Sequence, residues 1–161
     1  MKTANAFAAA GAILVLTTVA SADILHFRAL LNGANEAPNP GDPDGSGIAD
    51  VFIDTGTPIP TVSWDIVVAN ILLPISADHI HQAPAGVAGP VVVDFSAQLS
   101  GSGVSDPDLT NVVANPAGFY VNVHNSQFPG GAVRGQLFLV PAPGAAALMA
   151  LAAGLGLRRR R

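Results

Sequence analysis

Apolar residues recur at every second position through most of the middle of the chain. Leu25, Phe27, Ala29 and Leu31 alternate with His26, Arg28 and Leu30, and Ala49, Val51 and Ile53 face away from Asp50 and Asp54. Val62, Trp64, Ile66 and Val68 oppose Ser63 and Asp65, and Phe119, Val121 and Val123 oppose Tyr120, Asn122 and His124. A period of two belongs to an extended strand with one face in a core. Further runs cover Ala77–Gln82, Pro90–Phe95, a weaker Ala97–Val104, and Val133 with Leu137 and Leu139 after the turn Pro129-Gly130-Gly131. Trp64, the single tryptophan, reads as a core anchor.

About eight short strands at regular spacing, with turn residues between them, predict an all-β antiparallel sandwich or closed barrel. One helical signal interrupts them. In Ser105–Ala114, Asp106 is placed to cap, Pro107 suits the first helical position and Pro116 ends the run, which predicts two or three turns. Cysteine is absent, so burial alone must hold the fold.

The two ends read as address labels rather than packed elements. Lys2, the apolar run Phe7–Val19 and the small-residue site Ala20-Ser21-Ala22 predict a signal peptide over residues 1–22, with the mature chain beginning near Asp23. At the other end, Pro141-Ala142-Pro143-Gly144 leads into the apolar stretch Ala145–Leu157 and four terminal arginines. That stretch is too short to span the ~30 Å hydrocarbon core as a helix. Residues 141–161 resemble the PEP-CTERM family of bacterial sorting tails, although Ala142 stands where that family usually has Glu. The resemblance implies export from a bacterium, a processing enzyme of the exosortase type, transient membrane contact through both termini, and a final place at the cell surface, outer envelope or extracellular matrix. The domain between the labels is residues 23–140.

Within that domain only Arg28 and Arg134 are basic, against eleven carboxylates, a net charge of −9. Such a surface repels phosphate backbones and excludes nucleic-acid binding. Cations, glycans and proteins remain as partners.

Alternation also sorts the polar residues by face. If Ile80, Val121, Val123 and Val133 are buried, then His79, His81, Asn122, His124, Arg134 and Gln136 share the other face of the sheet. A hairpin register that keeps the valines inside is expected to set Asn122 and His124 across from Arg134 and Gln136, forming a polar patch on the outer face. Should the His79–His81 strand lie beside His124, three imidazoles converge, a donor set that suits zinc or copper. His26 is a conceivable fourth ligand. The other reading is structural, with the histidines bonding loop backbone and fixing Ala83–Gly89, and Arg134 pairing with a carboxylate or capping loop carbonyls. Asp42, Asp44, Ser46 and Gly47 match the first half of a calcium loop, but Ile53 occupies its bidentate position, so the segment reads as a solvated turn. No catalytic residue set is assigned: the sequence has no Gly-x-Ser-x-Gly elbow and no phosphate-binding glycine motif.

Two blocks, His79-Ile80-His81 with Gly89-Pro90-Val91-Val92, and Tyr120-Val121-Asn122-Val123-His124 with Pro129-Gly130-Gly131 and Arg134-Gly135-Gln136-Leu137, resemble the hallmarks of the CHRD domain, the module of chordin and of many secreted bacterial proteins. Asn32-Gly33-Ala34-Asn35-Glu36 and Ser46-Gly47-Ile48-Ala49 are similar to its opening block. The resemblance covers Ile24–Val140. It implies a Greek-key sandwich or barrel, immunoglobulin-like or like Cu/Zn superoxide dismutase, in an exported protein without an established activity. Ala132 departs from the acidic residue usual before the last strand. The expectation is therefore a non-catalytic surface or matrix module that binds a protein or glycan or is structural, with a three-histidine zinc or copper site, as binding protein or metalloenzyme, as the alternative.

Overall fold

A computed structural model describes residues 24–142. The expected signal peptide, and the expected sorting tail from residue 143 onward, lie outside the described residues. Eight strands form: β1 (Ile24–Asn32), β2 (Ser46–Asp54), β3 (Thr61–Ala69), β4 (Ile75–Gln82), β5 (Val91–Asp94), β6 (Ser100–Ser105), β7 (Phe119–Asn125) and β8 (Val133–Leu139). One short helix, α1 (Leu109–Ala114), and 3-10 turns at Gly33–Asn35 and Pro116–Gly118 complete the order.

All pairings are antiparallel, in the order β5-β4-β7-β8-β1-β2-β3-β6. The two edge strands, β5 and β6, are consecutive in sequence. Laid flat, eight strands about 4.8 Å apart would separate those edges by roughly 34 Å, whereas the short Phe95–Leu99 link reaches at most about 22 Å. The sheet therefore curls into a half-barrel. Around the closed side the strands run β3, β6, β5, β4, the Greek-key arrangement in which the chain passes from β3 to β4 over the end.

The curl encloses the core that the alternation predicts. Phe27, Ala29, Val51, Ile53, Ile80, Val121, Val123 and Leu137 are all buried, and Leu109 and Val112 of α1 join the same core. Trp64 is buried as expected, stacked on Phe95 with centroids 4.2 Å apart. Leu139, expected to face inward, is exposed.

Three further expectations need correction. The helix is shorter than the two or three turns expected. Asp106 does cap as expected, its carboxylate accepting the Asp108 N–H (2.8 Å), but the first turn is closed by the three-residue bonds Leu109 N–H to the Asp106 carbonyl and Thr110 N–H to the Pro107 carbonyl. The α-helix proper is the six residues Leu109–Ala114, fewer than two turns. The acidic turn is not wholly solvated, since Gly41 and Asp42 are buried and the Asp42 N–H donates to the Ala132 carbonyl at 2.9 Å. The outer polar face is no open surface either. Every residue of β7 is buried on both sides, because the loops around residues 33–42, 83–90 and 127–132 fold back over that face.

Candidate metal centre

The register of β4 on β7 builds the site. Ile80 pairs with Val121 on the core side, which sends His79 and His81 outward, opposite Asn122 and Tyr120; His124 lies one step along, opposite Ala77. The expected register is corrected in one respect. Asn122 does face Arg134, but Gln136 faces Tyr120, and His124 lies beyond the β7–β8 ladder, which ends at Val123↔Val133. Being off the ladder leaves His124 free to turn toward β4.

His79, His81 and His124 each place one ring nitrogen within 4.8 Å of the others. Loop carbonyls set two of the tautomers. The Nδ1 of His81 lies 2.9 Å from the Gly89 carbonyl and that of His124 lies 3.1 Å from the Pro129 carbonyl. A carbonyl only accepts, so both Nδ1 atoms carry the proton and both Nε2 atoms present lone pairs. The Nε2 of His81 is buried without a partner. That of His124 is 3.3 Å from Nδ1 of His79, whose own Nε2 faces the Asp94 carboxylate at 3.7 Å. Backbone carbonyls and a carboxylate behind the rings are the outer contacts that orient metal-binding imidazoles.

The electrostatics act in the same direction. Burial holds His124 down at about 4, with its two histidine neighbours adding to the effect and the Pro129 carbonyl opposing it. His81 and His79 are also lowered, again chiefly by burial, against the Gly89 carbonyl and Asp94 respectively. All three rings therefore stay neutral, the form that ligates a metal.

The remaining residues of the face do other work. Arg134, 1% exposed, donates to the carbonyls of Val87 (2.9 Å) and Pro84 (2.9 Å) and to Oε1 of Gln136 (3.1 Å), so it caps loop carbonyls. Gln136 reaches the carbonyls of Ala83 and Ala117. Asn122 donates to Glu36 across 3.5 Å. None of these three joins the imidazoles, and neither does His26, which on β1 is held by Asp50 and stacked on Phe52. Among the described residues, the acidic turn contributes to no metal-binding cluster.

Sequence reasoning missed Asp94, Tyr120 and Glu36. Asp94 pairs with His79 across β5 and β4, a register that no local pattern displays. Tyr120 sat in plain view on the histidine face. It stacks on His81 with centroids 4.9 Å apart and takes the Arg134 guanidinium on its ring at 3.4 Å. Glu36, from the long first loop, is buried beside Asn122, and burial raises it to about 7 against the pull of Arg134, Asn122 and the Ala37 N–H.

The family model described as CHRD domain matches residues 27–137, from within β1 into β8. The chain belongs to the CHRD domain family. In this CHRD domain all three imidazoles fall inside the match, as do the loops whose carbonyls orient them. No curated protein and no solved structure matches the chain.

Proposed function

We propose that this CHRD domain is an exported metal-binding module that holds one zinc or copper ion through His79 Nδ1, His81 Nε2 and His124 Nε2. The observation that carries the reading is the convergence of three neutral imidazoles with two opposite nitrogens already bonded to backbone carbonyls. Nitrogen donors of this softness suit zinc and copper over calcium or magnesium, and three protein ligands leave a fourth position for water or another ligand. Export to the cell surface or matrix of a bacterium, with processing of the tail by an exosortase-type enzyme, belongs to the same proposal and rests on the sequence of the two ends.

The hydrogen bonds to Gly89 and Pro129 also favour a second reading, a surface or matrix module that binds protein or glycan, in which the histidines only hold loops. Elemental mass spectrometry on the untagged protein, beside a His79→Ala/His81→Ala variant, separates the two. About one zinc or copper per chain, lost in the variant, supports the metal site. A metal-free parent whose variant is markedly less stable supports loop-holding.

A further inference from the structure

The backbone acceptor that sets the His81 tautomer belongs to a loop, and the structure shows what holds that loop still. Residues 83–90 run between β4 and β5 with little backbone bonding of their own: the Val87 N–H donates to the Pro84 carbonyl (3.2 Å), and at the loop's base the Gln82 N–H of β4 donates to the Pro90 carbonyl (3.0 Å). Apart from His81 on the Gly89 carbonyl, the side-chain contacts that hold the loop come from β7 and β8. Arg134 takes the carbonyls of Pro84 and Val87, Gln136 takes that of Ala83, and the Tyr120 hydroxyl accepts the Gly89 N–H at 3.1 Å. Gly89 is thus bonded on both sides of its α-carbon, its N–H to Tyr120 and its carbonyl to His81.

The residue there has to be glycine, because a Cβ would meet the Gln82 carbonyl oxygen at 1.4 Å less than van der Waals contact allows, at 2.0 Å. The same tyrosine ring lies flat against His81. Since β4 and β8 flank β7, His81 and Arg134 cover opposite faces of that ring. One stack, Arg134 on Tyr120 on His81, fixes the plane of the imidazole, and one bonded chain, Tyr120 hydroxyl to Gly89 to His81 Nδ1, fixes its proton.

We propose that Tyr120 and Arg134 are positioning residues for the metal site: they clamp the 83–90 loop so that His81 presents Nε2, rather than Nδ1, to the ion. The inference rests on the metal-binding reading for its consequence but not for its geometry. Loss of such outer contacts weakens metal binding by about tenfold to a hundredfold in comparable sites.

The test uses the untagged full chain and Tyr120→Phe, which keeps the ring and removes only the hydroxyl, with Arg134→Lys as a second variant that keeps the charge but loses the two-carbonyl fork. Long-range nitrogen–proton NMR spectra of the metal-free proteins read the His81 tautomer, and competition with a chromophoric chelator reads the affinity for zinc ion alone. In the parent, His81 is protonated on Nδ1. In Tyr120→Phe it shifts to a mixture, and zinc binds about tenfold to a hundredfold more weakly. A variant that keeps both the tautomer and the parent affinity overturns the proposal. If the parent takes up no zinc, the metal-binding reading fails, and the tautomer spectra alone decide the clamp: a shift upholds it and an unchanged spectrum ends it.

Discussion

Nδ1 of His79 and Nε2 of His124 face each other across 3.3 Å, close enough for one proton on His79 Nδ1, or one metal ion, to bridge them. The His124 proton points at the Pro129 carbonyl, and His79 Nε2 faces the Asp94 carboxylate at 3.7 Å, too long for a hydrogen bond. Moving the His79 proton to Nδ1 would bridge the pair but would turn a lone pair toward Asp94. A cation between the two nitrogens satisfies every contact. Two ligands on a tetrahedral zinc, with bonds of about 2.0–2.1 Å, stand roughly 3.3–3.4 Å apart, which is the separation found.

For the proposed metal site, a pH dependence follows from these lowered histidines. Protons compete with the ion only below the pKa of the free ligands, and the three rings lie below the ordinary histidine value, His124 at about 4. Zinc affinity is therefore expected to begin its fall at lower pH than that of a site of ordinary histidines, read over about pH 8 to pH 5. Equilibrium dialysis across that range checks it. A steep loss centred near pH 6.5 would show that the rings are not desolvated as the structure has them.

Stability without metal has its own pH signature at Glu36. Its folded-state pKa is raised, from 4.5 to about 7, chiefly by burial. The fold thus favours the protonated carboxyl: its contribution is fully present below about pH 4.5 and is lost as pH rises through about 7. Glu36→Gln removes this dependence, and its amide offers a donor to the unpartnered Oδ1 of Asn122. In urea unfolding the variant should gain on the parent as pH rises from about 5 to 8, by on the order of 3 kcal/mol. Parallel curves for the two proteins would refute it.

Why the histidine face was legible and Glu36 was not is a matter of range. Alternation is local, so the strand holding Ile80 between His79 and His81 announces which way both rings point. It says nothing about what lies over a face. Glu36 meets Asn122 from 86 residues away, and Arg134 reaches the Val87 carbonyl across 47. Those contacts bury a face that alternation leaves as a polar exterior. The helix cap was legible, since the Asp106 carboxylate takes the Asp108 N–H, but its length was not: the first turn is closed by three-residue bonds from Leu109 and Thr110, which local signals do not tell from an α-turn.

Between Arg134 and Gln136 the chain has to come close to β1. A Cβ on Gly135 would lie 2.3 Å from the Leu30 carbonyl oxygen and 2.7 Å from its carbon, and backbone cannot step aside as a side chain can. Gly135→Ala should therefore cost about 1–3 kcal/mol by forcing β8 away from β1. Thermal unfolding measures this, and an unchanged melting temperature would mean that the two strands sit further apart than described.

The last prediction concerns the seam where the half-barrel's edges meet without a strand ladder. The Phe95–Leu99 link bonds to both sides. Toward β4, the Phe95 N–H donates to the Asp78 carbonyl (3.0 Å) and the Gln98 N–H to the Asp78 carboxylate (3.1 Å). Toward β3, the Leu99 carbonyl accepts the Ile66 N–H and the Gln98 carbonyl accepts Nε1 of Trp64, each at 2.6 Å. Trp64 thus ties the seam by its ring on Phe95 and by its single donor. Trp64→Phe keeps a ring but loses the donor and part of the buried surface, at an expected cost of about 1–3 kcal/mol. Because the link has no ladder to share the load, the loss should appear first as local opening. Amide exchange at Ile66 and Gln98 should quicken well before that of Val121 and Val123 in the central strand β7. Equal acceleration in both places would mean that the sheet opens as a whole and that the tryptophan is core filling with no particular hold on the seam.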